Sequence, residues 1–104
     1  MTYTIRLTKQ ADKDLVRLDK VAIGKAVQAL TQLKSDPLTG HTLSGRLKGV
    51  RSLEFSAPGG VYRAAYVVKA QECVVFLVGP HENFYTLAQR RYETLKKLDK
   101  RNSV

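Results

Sequence analysis

Hydrophobic positions change their period along this chain, and the changes mark its elements. Tyr3 to Leu7 alternates Tyr, Ile and Leu with Thr and Arg, which predicts a short strand with one buried face. Thr8 then caps a helix in which Ala11, Leu15 and Leu18 recur at helical spacing, with Lys9, Asp12, Lys13, Asp14 and Arg17 on the other face. After a break at Asp19-Lys20, a second helix carries Ile23, Ala26, Val27, Leu30 and Leu33 on one side and Lys25, Gln28, Gln32 and Lys34 on the other. The two helices form an antiparallel pair, which is scaffold rather than site. Asp36-Pro37 ends the second helix, because the residue before a proline avoids the helical region. Leu38 to Val50, LTGHTLSGRLKGV, holds three glycines and no acid, and reads as a loop presenting Arg46 and Lys48.

From Arg51 the period becomes two. Leu53 and Phe55 share one face, with Ser52, Glu54 and Ser56 on the other, and Ala57-Pro58-Gly59-Gly60 is a turn signal. Val61 to Val68 and Cys73 to Val78 are β-branched and aromatic runs separated by a polar Lys-Ala-Gln-Glu link, so they form a hairpin buried on both faces. Arg63 interrupts the first run. A guanidinium is costly to bury unpaired, so its strand must open onto a partner, a ligand or solvent on one side. Asn83 to Leu98 returns to helical spacing with Phe84, Leu87, Ala88, Arg91, Leu95 and Leu98 in one stripe. The predicted class is α+β: an N-terminal strand, an antiparallel helical hairpin, a three-stranded antiparallel meander in a mostly antiparallel twisted sheet, and a C-terminal helix. Nothing in the pattern splits the chain, so residues 1–104 are expected to form a single domain.

Composition narrows the function classes. At this length a domain buries roughly two thirds of its unfolded surface without staples, and the one cysteine excludes a disulfide framework within the chain. Cys73 lies in an apolar run and reads as an inert core thiol in a reducing, cytoplasmic setting. No apolar segment approaches the length needed to span a bilayer, and the N-terminus lacks a signal-peptide core, so no membrane partner is expected. The 18 Lys and Arg outnumber the 9 Asp and Glu, for a formal charge of +9, which implies an acidic partner, either nucleic acid or an acidic protein. Between Pro37 and Lys69 the basic residues Arg46, Lys48, Arg51, Arg63 and Lys69 face a single acid, Glu54, and coincide with loops and strand edges. The last segment adds Arg90, Arg91, Lys96, Lys97, Lys100 and Arg101.

His41, His81 and Cys73 lie in separate segments without ligand spacing, so no metal site is expected. There is no glycine-rich phosphate loop and no nucleophile elbow, which disfavours nucleotide hydrolysis, and no cofactor is implied. What remains suits a phosphodiester: Arg51 and Arg63 as phosphate clamps, Glu54 and His81 as proton-transfer groups, and Tyr85 as a hydroxyl donor or stacking surface. RNA cleavage needs a base for the 2′-OH, cations for the charge building on phosphorus oxygens, and an acid for the departing 5′ oxygen. If Leu53 and Phe55 face the helical hairpin, Glu54 faces the opposite side, where Arg63 also points in the right register. The same residues have plainer readings: Glu54 as a counter-ion to Arg63, His81 as a cap on the last helix, Tyr85 as a half-buried rim residue.

At these residues the sequence resembles the RelE/ParE family of bacterial type II toxin–antitoxin toxins. The resemblance runs over nearly the whole chain, through the Leu43-Ser44-Gly45-Arg46-Leu47-Lys48-Gly49 segment, Val61-Tyr62-Arg63-Ala64-Ala65-Tyr66, the Val74 to Val78 strand and the Gly79-Pro80-His81-Glu82-Asn83-Phe84-Tyr85 terminus. It implies a toxin held inactive by a cognate antitoxin. RelE-like members cleave mRNA in the ribosomal A site, whereas ParE-like members inhibit DNA gyrase. Carried over, Arg63 matches the strand arginine associated with the scissile phosphate, and His81 and Tyr85 fall where nuclease branches keep a polar group and a tyrosine. Arg46, Lys48 and Arg51 lie in the basic stretch expected to bind RNA. Glu54 and Ser56 stand where the best-known RelE branch has lysines, which moves the expectation to a histidine-and-carboxylate mechanism. The resulting expectation is a ribosome-dependent, metal-independent mRNA endoribonuclease. Its alternatives are a gyrase inhibitor of the same fold and an inactive relative that only binds antitoxin.

Overall fold

A computed structural model describes residues 2–80 and 82–102, with side chains through residue 97. The element order is β1 (Thr4–Leu7), α1 (Lys9–Val16), α2 (Lys20–Thr31), a 3-10 turn at Gln32–Lys34, β2 (His41–Thr42), a 3-10 turn at Gly45–Leu47, β3 (Arg51–Ala57), β4 (Gly60–Lys69), β5 (Glu72–Pro80) and α3 (Phe84–Asn102). Side-chain caps explain the helix starts. The Thr8 hydroxyl accepts from Ala11 N–H at 3.1 Å, and the Asp19 carboxylate accepts from Ala22 N–H at 2.8 Å. The break expected at Asp19-Lys20 is therefore an N-cap.

One five-stranded sheet has the order β1-β5-β4-β3-β2. The meander forms as the pattern predicts, through a turn that pairs Ala57 with Gly60 and a link that pairs Lys69 with Glu72. β1 lies parallel to β5, which makes the sheet mixed. Alternation along the strands separates two core clusters. Leu53, Phe55, Ala64, Tyr66, Cys73, Val75 and Val78 pack with Ala11, Ala26, Leu30 and Leu33 under the helical hairpin. Leu47, Val50, Ala65, Phe76 and Leu77 pack with Phe84 and Ala88 under α3 on the opposite face. A bulge between these registers shifts the β4–β5 pairing, from Tyr66 opposite Val75 to Ala65 opposite Leu77. Phe76 is the extra residue, and it joins Leu77 under α3.

Two features differ from the sequence expectation. The Leu38–Val50 stretch is more ordered than a plain loop, because side chains from the sheet tie down its backbone. The Tyr66 hydroxyl donates to Pro37 O at 2.8 Å and accepts from Gly40 N–H at 2.9 Å, while Arg51 Nη1 donates to Leu38 O at 3.2 Å and Gly40 O at 2.9 Å. This fixes β2 as a two-residue edge strand. The second difference lies at α1, whose polar face is not wholly solvent-facing. Asp14 accepts from both terminal nitrogens of Arg91 on α3 and, at 3.1 Å, from Val78 N–H. Arg91 also donates to Phe76 O at 3.1 Å. β1 pairs with β5 only as far as Val75, so this ion pair serves the edge groups of β5 just beyond it.

Candidate functional site

The uncovered end of the α3-side sheet face carries the row Glu54–Arg63–Gly79, one residue from each of β3, β4 and β5. Directly opposed residues share a face, so the register that would let Glu54 and Arg63 meet is the one observed. Arg63 Nη2 lies 3.1 Å from Glu54 Oε2, and Nη1 donates to the Tyr85 hydroxyl at 2.8 Å. The guanidinium carbon is 5.6 Å from the centre of the Tyr85 ring, a cation–π distance. Arg63 and Glu54 come from neighbouring strands, whereas Tyr85 is delivered by the first turn of α3, whose Phe84 is buried under it in the core.

Burial is unequal within the cluster. The Arg63 side chain is 19% exposed and that of Glu54 49%. Arg63 is thus largely withdrawn from water while its anionic partner stands at the surface. Arg63 Nε is buried without a hydrogen-bond partner among the described residues. Beside it Gly79 leaves room, since a Cβ built there would meet nothing within 4 Å. A cation fixed in direction, held by one exposed carboxylate and one exposed phenol, is suited to exchange those partners for the oxygens of a phosphate. Glu54 stands half in water, so releasing Arg63 to a phosphate returns its carboxylate to solvent rather than leaving a buried charge unpaired.

Beyond Gly79 the strand ends at Pro80, and the cleft between the end of β5, α1 and the start of α3, about 450 Å³, is lined by Arg17, Gly79, Pro80, Glu82 and Leu87 among others. His81 falls in this connection but lies outside the described residues. Arg46 and Lys48 are exposed on the turn that packs Leu47 against α3. The Lys48 carbonyl accepts from Tyr92 OH at 3.3 Å, and Lys96 Nζ lies 4.8 Å from the centre of the Tyr92 ring, so Tyr92 ties this turn to α3 and carries the Lys96 ammonium on its face. Arg51 stands apart from this group. It shares the parity of Leu53 and Phe55, on the helical-hairpin face, and its guanidinium is engaged with the Leu38 and Gly40 carbonyls. Cys73 is fully buried and burial pushes its thiol pKa up, which keeps it protonated and unreactive.

Sequence reasoning missed the Asp14–Arg91 pair. Its one signal was Arg91 itself, a charge within an apolar stripe, which requires a partner. No sequence pattern points to Asp14 in particular.

Comparison with known proteins agrees with this architecture. A family model described as ParE-like toxin of type II bacterial toxin–antitoxin system matches residues 3–89. Among curated proteins no significant match is found. The structure of the RelBE2 toxin–antitoxin complex from Mycobacterium tuberculosis includes a chain similar at 30% identity, with a TM-score of 0.63 over 76% of this chain and 98% of that one. A doubly substituted mutant of the E. coli toxin RelE in the free state is similar at 18% identity and a TM-score of 0.70, covering 86% of this chain and 94% of that one. A chain of the archaeal RelE–RelB complex from Pyrococcus horikoshii is similar at 21% identity and a TM-score of 0.57, covering 79% and 98%. With a family match over most of its length and this fold, the chain belongs to the ParE-like toxins of type II bacterial toxin–antitoxin systems, within the RelE/ParE superfamily.

Proposed function

We propose that this toxin is a ribosome-dependent mRNA endoribonuclease, neutralised by a cognate antitoxin. The observation that carries the reading is the Glu54–Arg63–Tyr85 cluster on an open sheet face beside Gly79. Arg63 takes the scissile phosphate and stabilises the charge that builds on its oxygens, where a fixed donor is worth most. Glu54, displaced from Arg63, and His81 divide the two proton transfers, from the 2′-OH and to the 5′ oxygen. An imidazole suits either task near neutral pH. Tyr85 donates its hydroxyl or stacks on a base, and Arg46 and Lys48 supply positive potential along the RNA, while Arg51, turned to the other face, orders the backbone around Gly40. The formal charge of +9 suits both the ribosome and an acidic antitoxin segment.

The test is to induce the wild-type chain and an Arg63→Ala, His81→Ala double variant in bacteria, then map new mRNA 5′ ends on translated and untranslated transcripts. Cuts that require translation and vanish in the variant are expected. Intact mRNA during growth arrest overturns the reading. It would also support a second one, gyrase inhibition, which the ParE-like description of the matching family favours. Under that reading Arg63 is structural, and a supercoiling assay detects the activity.

A further inference from the structure

β2 brings to the Arg63 face a side chain that the proposed chemistry leaves unused. His41 is opposite Ser52, Ser52 opposite Ala65, and Ala65 opposite Leu77. Ser52 alternates with Leu53 and Phe55, so this row lies on the same face as Glu54–Arg63–Gly79, one step along the strands. Leu43, two residues beyond His41, packs against the α3-side cluster, which fixes the same orientation for His41. His41 is exposed, while Ser52 beside it is 2% exposed. The two buried polar side-chain atoms without a hydrogen-bond partner among the described residues, Ser52 Oγ and Arg63 Nε, lie in these two adjacent rows.

The position of His41 is also unusually well fixed for an edge residue. Both backbone groups of its neighbour Gly40 are held by side chains from the sheet, N–H by the Tyr66 hydroxyl and C=O by Arg51, each at 2.9 Å. A Cβ at Gly40 would lie 2.6 Å from the Tyr66 oxygen, so the approach leaves no slack. From Arg63, His41 is two strands across and two residues along, roughly 12 Å between Cα atoms at ordinary sheet spacings. The Arg63 guanidinium is engaged by Glu54 in its own row and by Tyr85, whereas His41 stands in the adjacent row on the edge strand, a position suited to the neighbouring nucleotide rather than to the reacting phosphate.

Resting on the reading of the Arg63 face as an RNA site, we propose that His41 is a specificity-determining residue, a pinned platform on which the base flanking the scissile phosphate stacks. Single-stranded RNA is commonly gripped by stacking of unpaired bases on flat side chains, histidine included. Removing such a platform costs roughly tenfold or more in affinity. The imidazole plane supplies the contact, so a phenyl ring substitutes for it.

The test is fluorescence anisotropy with a labelled single-stranded oligoribonucleotide that is 2′-O-methylated and so cannot be cut. Wild type, His41→Ala, His41→Phe and Arg63→Ala are compared at fixed salt, with thermal melts to establish that each variant is folded. His41→Ala is expected to weaken binding about tenfold and His41→Phe to restore it to within about threefold. The loss should be larger for a purine than for a pyrimidine at one flanking position. Binding by His41→Ala equal to wild type overturns the proposal, as does His41→Phe binding no better than His41→Ala, or a wild-type chain that binds no oligonucleotide. A wild type that binds through His41 yet never cuts mRNA leaves the platform standing and overturns the nuclease reading. A nuclease that requires Arg63 and is indifferent to His41 does the reverse.

Discussion

Asp14→Ala should be among the most destabilising single substitutions in this fold, although it deletes only a small polar side chain from α1. In the folded protein Asp14 accepts from both terminal nitrogens of Arg91 and from Val78 N–H. The two side chains are only 10% and 20% exposed, Asp14 and Arg91 respectively. Removing the carboxylate leaves a guanidinium with one remaining acceptor, Phe76 O, and a strand-edge N–H with none. Breaking a buried pair from one side costs about 3–5 kcal/mol, and the residual exposure places this case near about 3 kcal/mol. For a domain of this size that is a fall in Tm of roughly 12–20 °C. Asp14→Asn keeps an acceptor for Val78 and should lose about half as much. Urea unfolding of wild type, Asp14→Ala, Arg91→Ala and the double variant forms the assay, with unchanged m as the check that the states compared are the same. The double variant should be more stable than the sum of the single losses implies, by at least about 1.5 kcal/mol. An Asp14→Ala variant within about 0.5 kcal/mol of wild type, or strict additivity in the cycle, refutes the reasoning.

Gly40→Ala forces a Cβ to within 2.6 Å of the Tyr66 oxygen and 3.0 Å of Ser52 O, so it should lower stability by about 2 kcal/mol, read from the urea midpoint. Tyr66→Phe removes the bonds to Gly40 and Pro37 and should cost about 1–3 kcal/mol. Burial raises the Tyr66 pKa above 10.0, so the folded chain holds that proton more firmly than the unfolded one. Its contribution is complete below pH 10 and is lost as pH climbs through the folded-state value; the slope of stability against pH above 10 should be shallower in Tyr66→Phe. Cys73, buried and held protonated, should react with a disulfide reagent at neutral pH only as fast as the domain opens, and at once in denaturant. If the basic surface holds RNA, log affinity should fall linearly with log salt, and Lys48→Ala should reduce the slope by about one; a salt-independent affinity contradicts an electrostatic contact there.

Elements whose signals are local were legible in the sequence. The period-two runs gave the meander, Thr8 announced the cap of α1, and the break at Asp19-Lys20 marked the start of α2; the register that sets Glu54 against Arg63 stayed open in the pattern and comes from the pairing through Ala57–Gly60. The solitary arginine in an apolar run pointed to an opening in the sheet, and Arg63 does lie at its uncovered end. What escaped depends on contacts between distant residues. Tyr66 and Arg51 order the backbone around Gly40 from 26 and 11 residues away, and Asp14 meets Arg91 at a separation of 77. Arg51 shows the limit well: its charge suggested phosphate, but strand parity turns it towards the helical hairpin, where backbone carbonyls take its donors.

The bulge at Phe76 acts as an offset in the numbering between two strands. Ahead of it, paired residues such as Tyr66 and Val75 follow one alignment; past it, Arg63 is opposite Gly79. If β5 ran on without the bulge at its present length, the earlier alignment would continue, setting Val78 against Arg63 and moving its branched side chain from the helical-hairpin core into the space that Gly79 leaves open. Deleting Phe76 itself would keep Ala65 opposite Leu77, Ala64 opposite Val78 and Arg63 opposite Gly79, and would remove only the ring that Phe76 places under α3. The register of β4 against β5, rather than the number of residues between the Lys69–Glu72 link and Gly79, is what must be preserved for Arg63 to keep its clearing.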